Sequence, residues 1–331
     1  MVAPTVHPPR TPAVTTHSLR FDVDAMHGAF SPDLEPVVEI ASGDAVLGET
    51  ADVGWGLEPP TDEVSLRKKL DRPGTPRYRG PALLGPVAVR GADPGTVLEV
   101  RIDELRPASW GWTWSGGPGE ARPEVNRRLG VLSASPRLTR WTLDLDRGVA
   151  ATAEGREVAL RPHLGVMGLA PGAPGWHSGW AARQTGGNLD CSELVVGTSL
   201  FLPVEVEGGL LSFGDGHAAQ GDGEIGGTAI ECRMERVALT LSVRRDMALA
   251  LPAARTPDGW VTLGYGAGLD EAALRAARGM VALLASELGV DAFEATALAS
   301  VAASLRVTQM VNESVGVHAF LDHEALDALR T

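Results

Sequence analysis

Two glycine-rich segments carry the residue types most able to do chemistry: Gly186-Gly187-Asn188-Leu189-Asp190 and Gly214-Asp215-Gly216-His217-Ala218-Ala219-Gln220-Gly221-Asp222-Gly223-Glu224. The second sets one histidine, one amide and three carboxylates among glycines. Glycine lets backbone approach backbone, or a ligand, with no Cβ in the way. Polar groups at this density are costly to bury unless a metal, a ligand or each other satisfies them. The pattern therefore points to a catalytic or metal-binding centre. In an extended segment residues two apart face the same way, which places Asp215 with His217 and Asp222 with Glu224. One imidazole with two or three carboxylates is a ligand set for zinc or another divalent ion. Neither the calcium-loop pattern nor H-E-x-x-H is present. An aspartate in a glycine-rich turn also serves as a turn-capping residue, and Asp190, Asp215 and Asp222 each carry that alternative.

The elements that must position these residues read as strands. Pro36 to Ile40 leads through Ser42-Gly43-Asp44 into Ala45 to Thr50. Gly85 to Arg90 leads through Ala92-Asp93-Pro94-Gly95 into Val97 to Ile102, whose alternation predicts a half-buried strand. Trp110, Trp112 and Trp114 alternate, so a strand turns all three to one side, as a core edge or as the wall of a pocket. Glu58 to Gly80 reads as a long charged loop. Ser199 to Val204, Thr228 to Glu235 and Val237 to Val243 are further strands. The period then changes: Asp270 caps a helix over Glu271 to about Leu288 with Gly289 beyond its end, and Asp291 with Glu294 opens a second, Ala292 to about Ser304. Strand character returns at Arg306 to Val311. The expected organisation is a flexible extension over 1–17, a β-rich part over 18–149, a β-rich part over 150–250 carrying the glycine-rich centre, and an α/β portion over 251–331.

The composition is that of a globular protein: 331 residues, 44% hydrophobic and 21% charged, with 40 glycines and 23 prolines that favour short strands and turns. A net charge of −13 disfavours nucleic acid and anionic membrane as partners. Two cysteines, Cys191 and Cys232, are too few for a disulfide framework, so a reducing cytoplasm is the expected compartment. Met1 to His17 has no apolar core of a signal peptide, and no run reaches the ~18 apolar residues a membrane span requires.

The two glycine-rich segments, with Leu200-Phe201-Leu202-Pro203-Val204 and Gly227 to Glu231, resemble the acetamidase/formamidase family. The resemblance extends to Phe30-Ser31 with Pro36, Gly43-Asp44, Glu49-Thr50 with Asp52, Gly85-Pro86-Val87, Gly91-Ala92-x-Pro94-Gly95, Arg306-Val307-Thr308-Gln309 and Gly316-Val317-His318-Ala319. It implies a mainly β fold, sandwich- or barrel-like, with an α+β C-terminal portion. It also implies hydrolysis of short aliphatic amides to a carboxylate and ammonia, a divalent metal, and assembly as a homodimer or larger homo-oligomer. Amide hydrolysis needs an activated water, a group that stabilises the oxyanion, and a proton for the departing ammonia. On that basis Asp190 and His217 are expected as metal ligands with Asp52 as a third. Zinc is the first choice of metal, with calcium or another divalent ion as alternatives. Glu224 is expected as general base and acid, Asn188 and Gln220 as holders of substrate or oxyanion, and Trp112 and Gly187 as substrate contacts. His27 and His177 remain further candidate ligands, whereas His163 reads as structural. Cys191 offers a nucleophilic alternative, although a free cysteine is more often a small buried apolar residue. Two other readings stay open: a non-catalytic metal- or ligand-binding β protein, and an amidase for a larger amide walled by Trp110, Trp112 and Trp114.

Overall fold

The computed structural model describes residues 14–61, 67–117 and 123–330. Residues 1–13, most of the expected extension, lie outside them, whereas Thr16–Ser18 forms a strand parallel to Ala45–Gly48. The fold is mainly β, as expected, and its two large sheets are open; among the described residues neither closes into a barrel.

The first sheet has nine strands. Its centre is the long strand Val97–Pro107, paired on one side with Met234–Arg244 and on the other with Ser199–Pro203. Alternation buries Leu98, Val100 and Ile102, as the sequence pattern requires. One edge is Thr16–Ser18 and the other is Ser304–Gln309, paired with Val315–Asp322. The second sheet has twelve strands. Leu211–His217 is its hub: His163–Gly168 pairs along one side, while Leu83–Val89 and Glu231–Cys232 share the other. Leu98, Val100, Leu200, Leu239 and Val261 of the first sheet join Leu84, Val87, Leu164, Met167 and Phe213 of the second in one core. Each sheet draws strands from both sides of position 150, and the first also from beyond 250, so the boundaries expected at 149 and 250 do not coincide with breaks between sheets.

Two helices cover the C-terminal end of the first sheet. Leu269–Leu288 starts from Gly268, two residues earlier than the Asp270 cap expected, and ends at Gly289 in the left-handed conformation (φ 66°). Ala292–Ala302 starts at Asp291, whose side chain accepts from the Glu294 N–H. Ala272, Ala276, Met280 and Leu284 pack on Val317, Ala319 and Leu321, forming a second core.

Candidate functional site

The site lies across the middle of the twelve-stranded sheet. Strand register places His163 opposite His217, His217 opposite Glu231, and Glu231 opposite Trp112, so four side chains form a row across four strands. Asp215 precedes His217 by two residues, and the two side chains meet with His217 Nε2 3.3 Å from Asp215 Oδ1. Glu231 Oε2 lies 3.4 Å from the same nitrogen. Asp190 enters from the end of Gly186–Asn188, where the N–H groups of Leu189 and Asp190 both donate to the Gly165 carbonyl (2.8 and 3.1 Å). Glu224 arrives from the loop after His217. Ligand atoms of Asp190, His217 and Glu224 lie within 4.8 Å of one another, and so do those of Asp215, His217 and Glu231. The glycine-rich segments therefore converge, and Asp190, His217 and Glu224 are brought together as the sequence predicts.

The ring of His217 is fixed by its other nitrogen. Nδ1–H donates to Gln220 Oε1 (2.9 Å), and Gln220 Nε2 donates to the Asp190 carbonyl oxygen (2.7 Å). His163 Nε2 lies 3.3 Å from His217 Nδ1, while His163 Nδ1 donates to the Arg161 carbonyl (3.0 Å). Burial and the neighbouring His217 hold His163 down to about 4, so it stays neutral. This leaves His217 Nε2 aimed at the carboxylates. Gln220 thus has both ends of its amide engaged in bracing His217 and Asp190, rather than free for substrate.

Four carboxylates, Asp190, Asp215, Glu224 and Glu231, are buried here around one imidazole. Burial pushes Asp190 and Glu224 well above the ordinary carboxylate range; for Glu224 the Asp190 charge adds to it, and for both His217 partly offsets it. Glu231 is pushed up to about 7 by burial, against the pull of His217. Burial disfavours the His217 imidazolium, yet Glu231 and Asp215 outweigh it and hold His217 well above its usual value. Asp190, Asp215 and Glu224 also sit at positive φ (44°, 58° and 45°), three of the five non-glycine residues so placed among those described. Such backbone costs ~1–3 kcal/mol per residue and collects at functional sites.

Two observations fit this donor set to a cation. Asp215 Oδ1, Glu224 Oε2 and Glu231 Oε2 are buried without a hydrogen-bond partner. A Cβ built on Gly165 would stand 2.7 Å from Asp190 Oδ1, 2.7 Å from His217 Cε1 and 2.8 Å from Asp215 Oδ2, so the glycine keeps open a cradle between these groups. Ligands at ~2.0–2.2 Å from a zinc ion lie within ~4.4 Å of each other, so a small contraction closes either group on an ion. A cleft of about 530 Å³ lined by Trp141, Arg161, Gln220, Asp222, Glu224 and Ile230 leads to Glu224 from outside.

The other expected residues fall elsewhere or play other parts. Asp52 belongs to neither cluster: it is fully buried and spent on Arg67 (2.6 Å), the Trp112 indole N–H (2.9 Å) and the Gly56 N–H (2.7 Å). Trp112 is consequently an interior residue holding Asp52, not the wall of an open pocket. Gly187 is there for close approach, since its Cβ would meet the Ala181 carbonyl oxygen at 2.4 Å at a φ of 112°. Asn188 is buried two residues before Asp190, with Oδ1 unpartnered. His27 bonds Ser212 Oγ (2.8 Å), and His177 bonds the Ala173 carbonyl (2.7 Å). Asp222 is exposed and accepts from Ser192 Oγ (3.2 Å), so it does not share a face with Glu224. Cys191 is buried, and burial pushes its thiol up to about 12. Glu231 closes the family-like segment Gly227 to Glu231, but the spacing argument passed it over; strand register brings it to His217.

Fold and site together define a β protein with a buried acid–histidine centre of the kind that serves hydrolysis. The profile of the Acetamidase/Formamidase family matches residues 177–257, the span holding Asn188 to Glu231. A Schizosaccharomyces pombe protein named as a formamidase is 28% identical over 285 residues, 69% of this chain and 68% of that protein. A Bacillus halodurans acetamidase crystal structure is 28% identical, covers 96% of this chain and 100% of its own, and superposes with a TM-score of 0.81. A Thermoanaerobacter tengcongensis structure described as an acetamidase/formamidase gives 26%, 96%, 99% and the same TM-score of 0.81. The chain is thus similar to acetamidase/formamidase proteins, in profile over residues 177–257 and in fold over nearly its whole length.

Proposed function

We propose that this protein hydrolyses the C–N bond of a short aliphatic amide to a carboxylate and ammonia, at a centre that holds a divalent cation. The observation that carries the reading is the convergence of Asp190, His217 and Glu224, backed by Asp215 and Glu231, in a buried centre with three unpartnered carboxylate oxygens. The match to the family profile and the names of the similar proteins support the reaction class.

Asp190 and His217 hold the cation, with Asp215 and Glu231 completing the negative surround. Mixed nitrogen and carboxylate donors favour zinc. A divalent cation there supplies Lewis-acid polarisation of the amide carbonyl and acidifies water from a pKa of ~15.7 towards ~7. Gln220 keeps the Nδ1–H tautomer of His217, which leaves Nε2 as the donor atom. Glu224, which lines the cleft, takes the proton from the attacking water and returns it to the departing nitrogen. Asn188 offers an unpartnered buried carbonyl oxygen, matched to the N–H of a primary amide. A cysteine nucleophile is disfavoured, because Cys191 is held as a thiol. Of the three tryptophans on which a preference for bulky amides rests, Trp112 is interior and Trp110 and Trp114 are half-buried, while Trp141 lines the cleft. Two unpaired thiols agree with a cytoplasmic setting; among the described residues no helix is long and apolar enough to cross a membrane. Phe293 and Val301, 89% and 82% exposed on Ala292–Ala302, support self-association.

The test is ammonia release from formamide, acetamide and propionamide by zinc-loaded protein, alongside Glu224→Gln. Wild type should turn over at least one of the three. The variant should fall by ~10²–10⁴-fold with metal retained by elemental analysis. No release by wild type from any small amide, or full activity in the variant, overturns the assignment.

A further inference from the structure

The hairpin Ser304–Gln309/Val315–Asp322 lies far from the glycine-rich segments in sequence, yet its turn reaches the centre. Asn312 Nδ2 donates to Asp190 Oδ2. The other oxygen, Oδ1, is the one that faces the cradle at Gly165 beside His217 and Asp215. One bond therefore decides which oxygen of Asp190 is presented to the cluster. The conformation that delivers Asn312 is itself moulded by one fully buried side chain, Gln309. Gln309 Oε1 accepts the N–H groups of Val311 and Asn312 (both 3.2 Å), and Gln309 Nε2 donates to the Ser314 carbonyl. The backbone on either side of Gln309 also grips the Glu224 loop: Gly223 N–H donates to Thr308 O and Met310 N–H to Gly223 O (3.1 Å each).

We infer that Gln309 and Asn312 are positioning residues: Gln309 shapes the 310–314 turn so that Asn312 fixes the rotation of the Asp190 carboxylate. Among the described residues this buried amide makes three bonds to its own turn and none to any other element, so it has a local shaping task. A turn so shaped, delivering one amide hydrogen to one oxygen of a site carboxylate, connects that task to the chemistry. The inference deepens the amide-hydrolysis reading and rests on it for its kinetic readout.

Its test is a double-variant cycle of Gln309→Leu and Asn312→Ala, with each protein's thermal midpoint measured beside its kinetics. Outer partners of site ligands typically contribute ~10–100-fold, so each single variant should lose about that much kcat, with KM changed less than about threefold. Because both act through one bond, Gln309→Leu should cost nothing further in the Asn312→Ala background. Losses that multiply overturn the inference. Asn312→Ala leaves the core untouched and guards against a Gln309 variant that fails to fold. Hydrogen exchange supplies a readout free of activity: Gln309→Leu should expose the Val311 and Asn312 amides while Asn312→Ala keeps them protected, and unchanged protection in Gln309→Leu overturns the moulding role. If wild type releases no ammonia from any amide, the functional reading fails by itself. The exchange result, with the same cycle read in zinc affinity, still decides the positioning claim.

Discussion

Gly165→Ala puts a single methyl into the one place the site cannot accept it. The backbone of Gly165 is not in the left-handed region, so the substitution is conformationally ordinary. The cost is steric: the new carbon would lie 2.7 Å from Asp190 Oδ1 and His217 Cε1 and 2.8 Å from Asp215 Oδ2. An ordinary carbon–oxygen contact is about 3.4 Å, so each neighbour must yield by roughly 0.6–0.7 Å. These neighbours are themselves held by Gln220, Asn312 and the strand register. A misplacement near 1 Å costs on the order of 10²-fold in rate, which is ~2.7 kcal/mol of transition-state stabilisation. Overpacking of this kind costs stability by ~1–3 kcal/mol. Gly221→Ala is the matched control: it lies in the same site loop, and its Cβ would meet nothing within 4 Å. Ammonia-release kinetics and thermal unfolding of both variants measure the two effects. The expectation is a loss on the order of 10²-fold for Gly165→Ala with zinc content reduced, and near-wild-type values for Gly221→Ala. Wild-type kcat and zinc content in Gly165→Ala would refute the cradle.

Asp52→Asn should destabilise the protein by ~3–5 kcal/mol, because the Arg67 guanidinium is left buried beside a neutral amide; zinc content should be unchanged, and zinc loss without a fall in thermal midpoint would return Asp52 to the ligand set. Stability should also fall below neutral pH through His27. Burial, with Arg77 nearby, lowers it from 6.5 to about 3, so between those values the unfolded chain binds a proton that the native state refuses. Its contribution is whole above pH 6.5 and is lost as the pH drops, at up to ~1.4 kcal/mol per pH unit, levelling near the folded value. Urea midpoints from pH 7 to 4 should fall less steeply in His27→Gln than in wild type, and parallel curves would dismiss His27 as the cause.

What the sequence made legible was local. Alternation in Val97 to Ile102 and the caps at Asp291 and Gly289 depend on near neighbours, and these elements stand where expected. Asp190, His217 and Glu224 were legible because glycine density and polar density coincide there, and burying such a mixture demands a purpose. Asp52 misled because a carboxylate near a family-like segment looks the same whether its partner is a cation or Arg67, and that partner is fifteen residues away in a charged loop. By residue type Gln220 and Trp112 suit substrate contact, but the partners that claim them, His217 with Asp190 and Asp52, are set by the fold and not by spacing. Glu231, though it ends a family-like segment, and Asn312 show no site role in the sequence for the same reason: each joins the centre through a pairing between segments that no spacing rule connects.

The nine-stranded sheet takes one edge from Thr16–Ser18 and the opposite edge from Ser304–Gln309. Synthesis at about 5–20 residues per second separates those edges by tens of seconds on the ribosome. Within that interval Val97–Pro107 is made before either of its neighbours, Ser199–Pro203 and Met234–Arg244, and must await both. The hairpin Ser304–Gln309/Val315–Asp322 therefore completes the sheet last, and the same event brings Asn312 to Asp190.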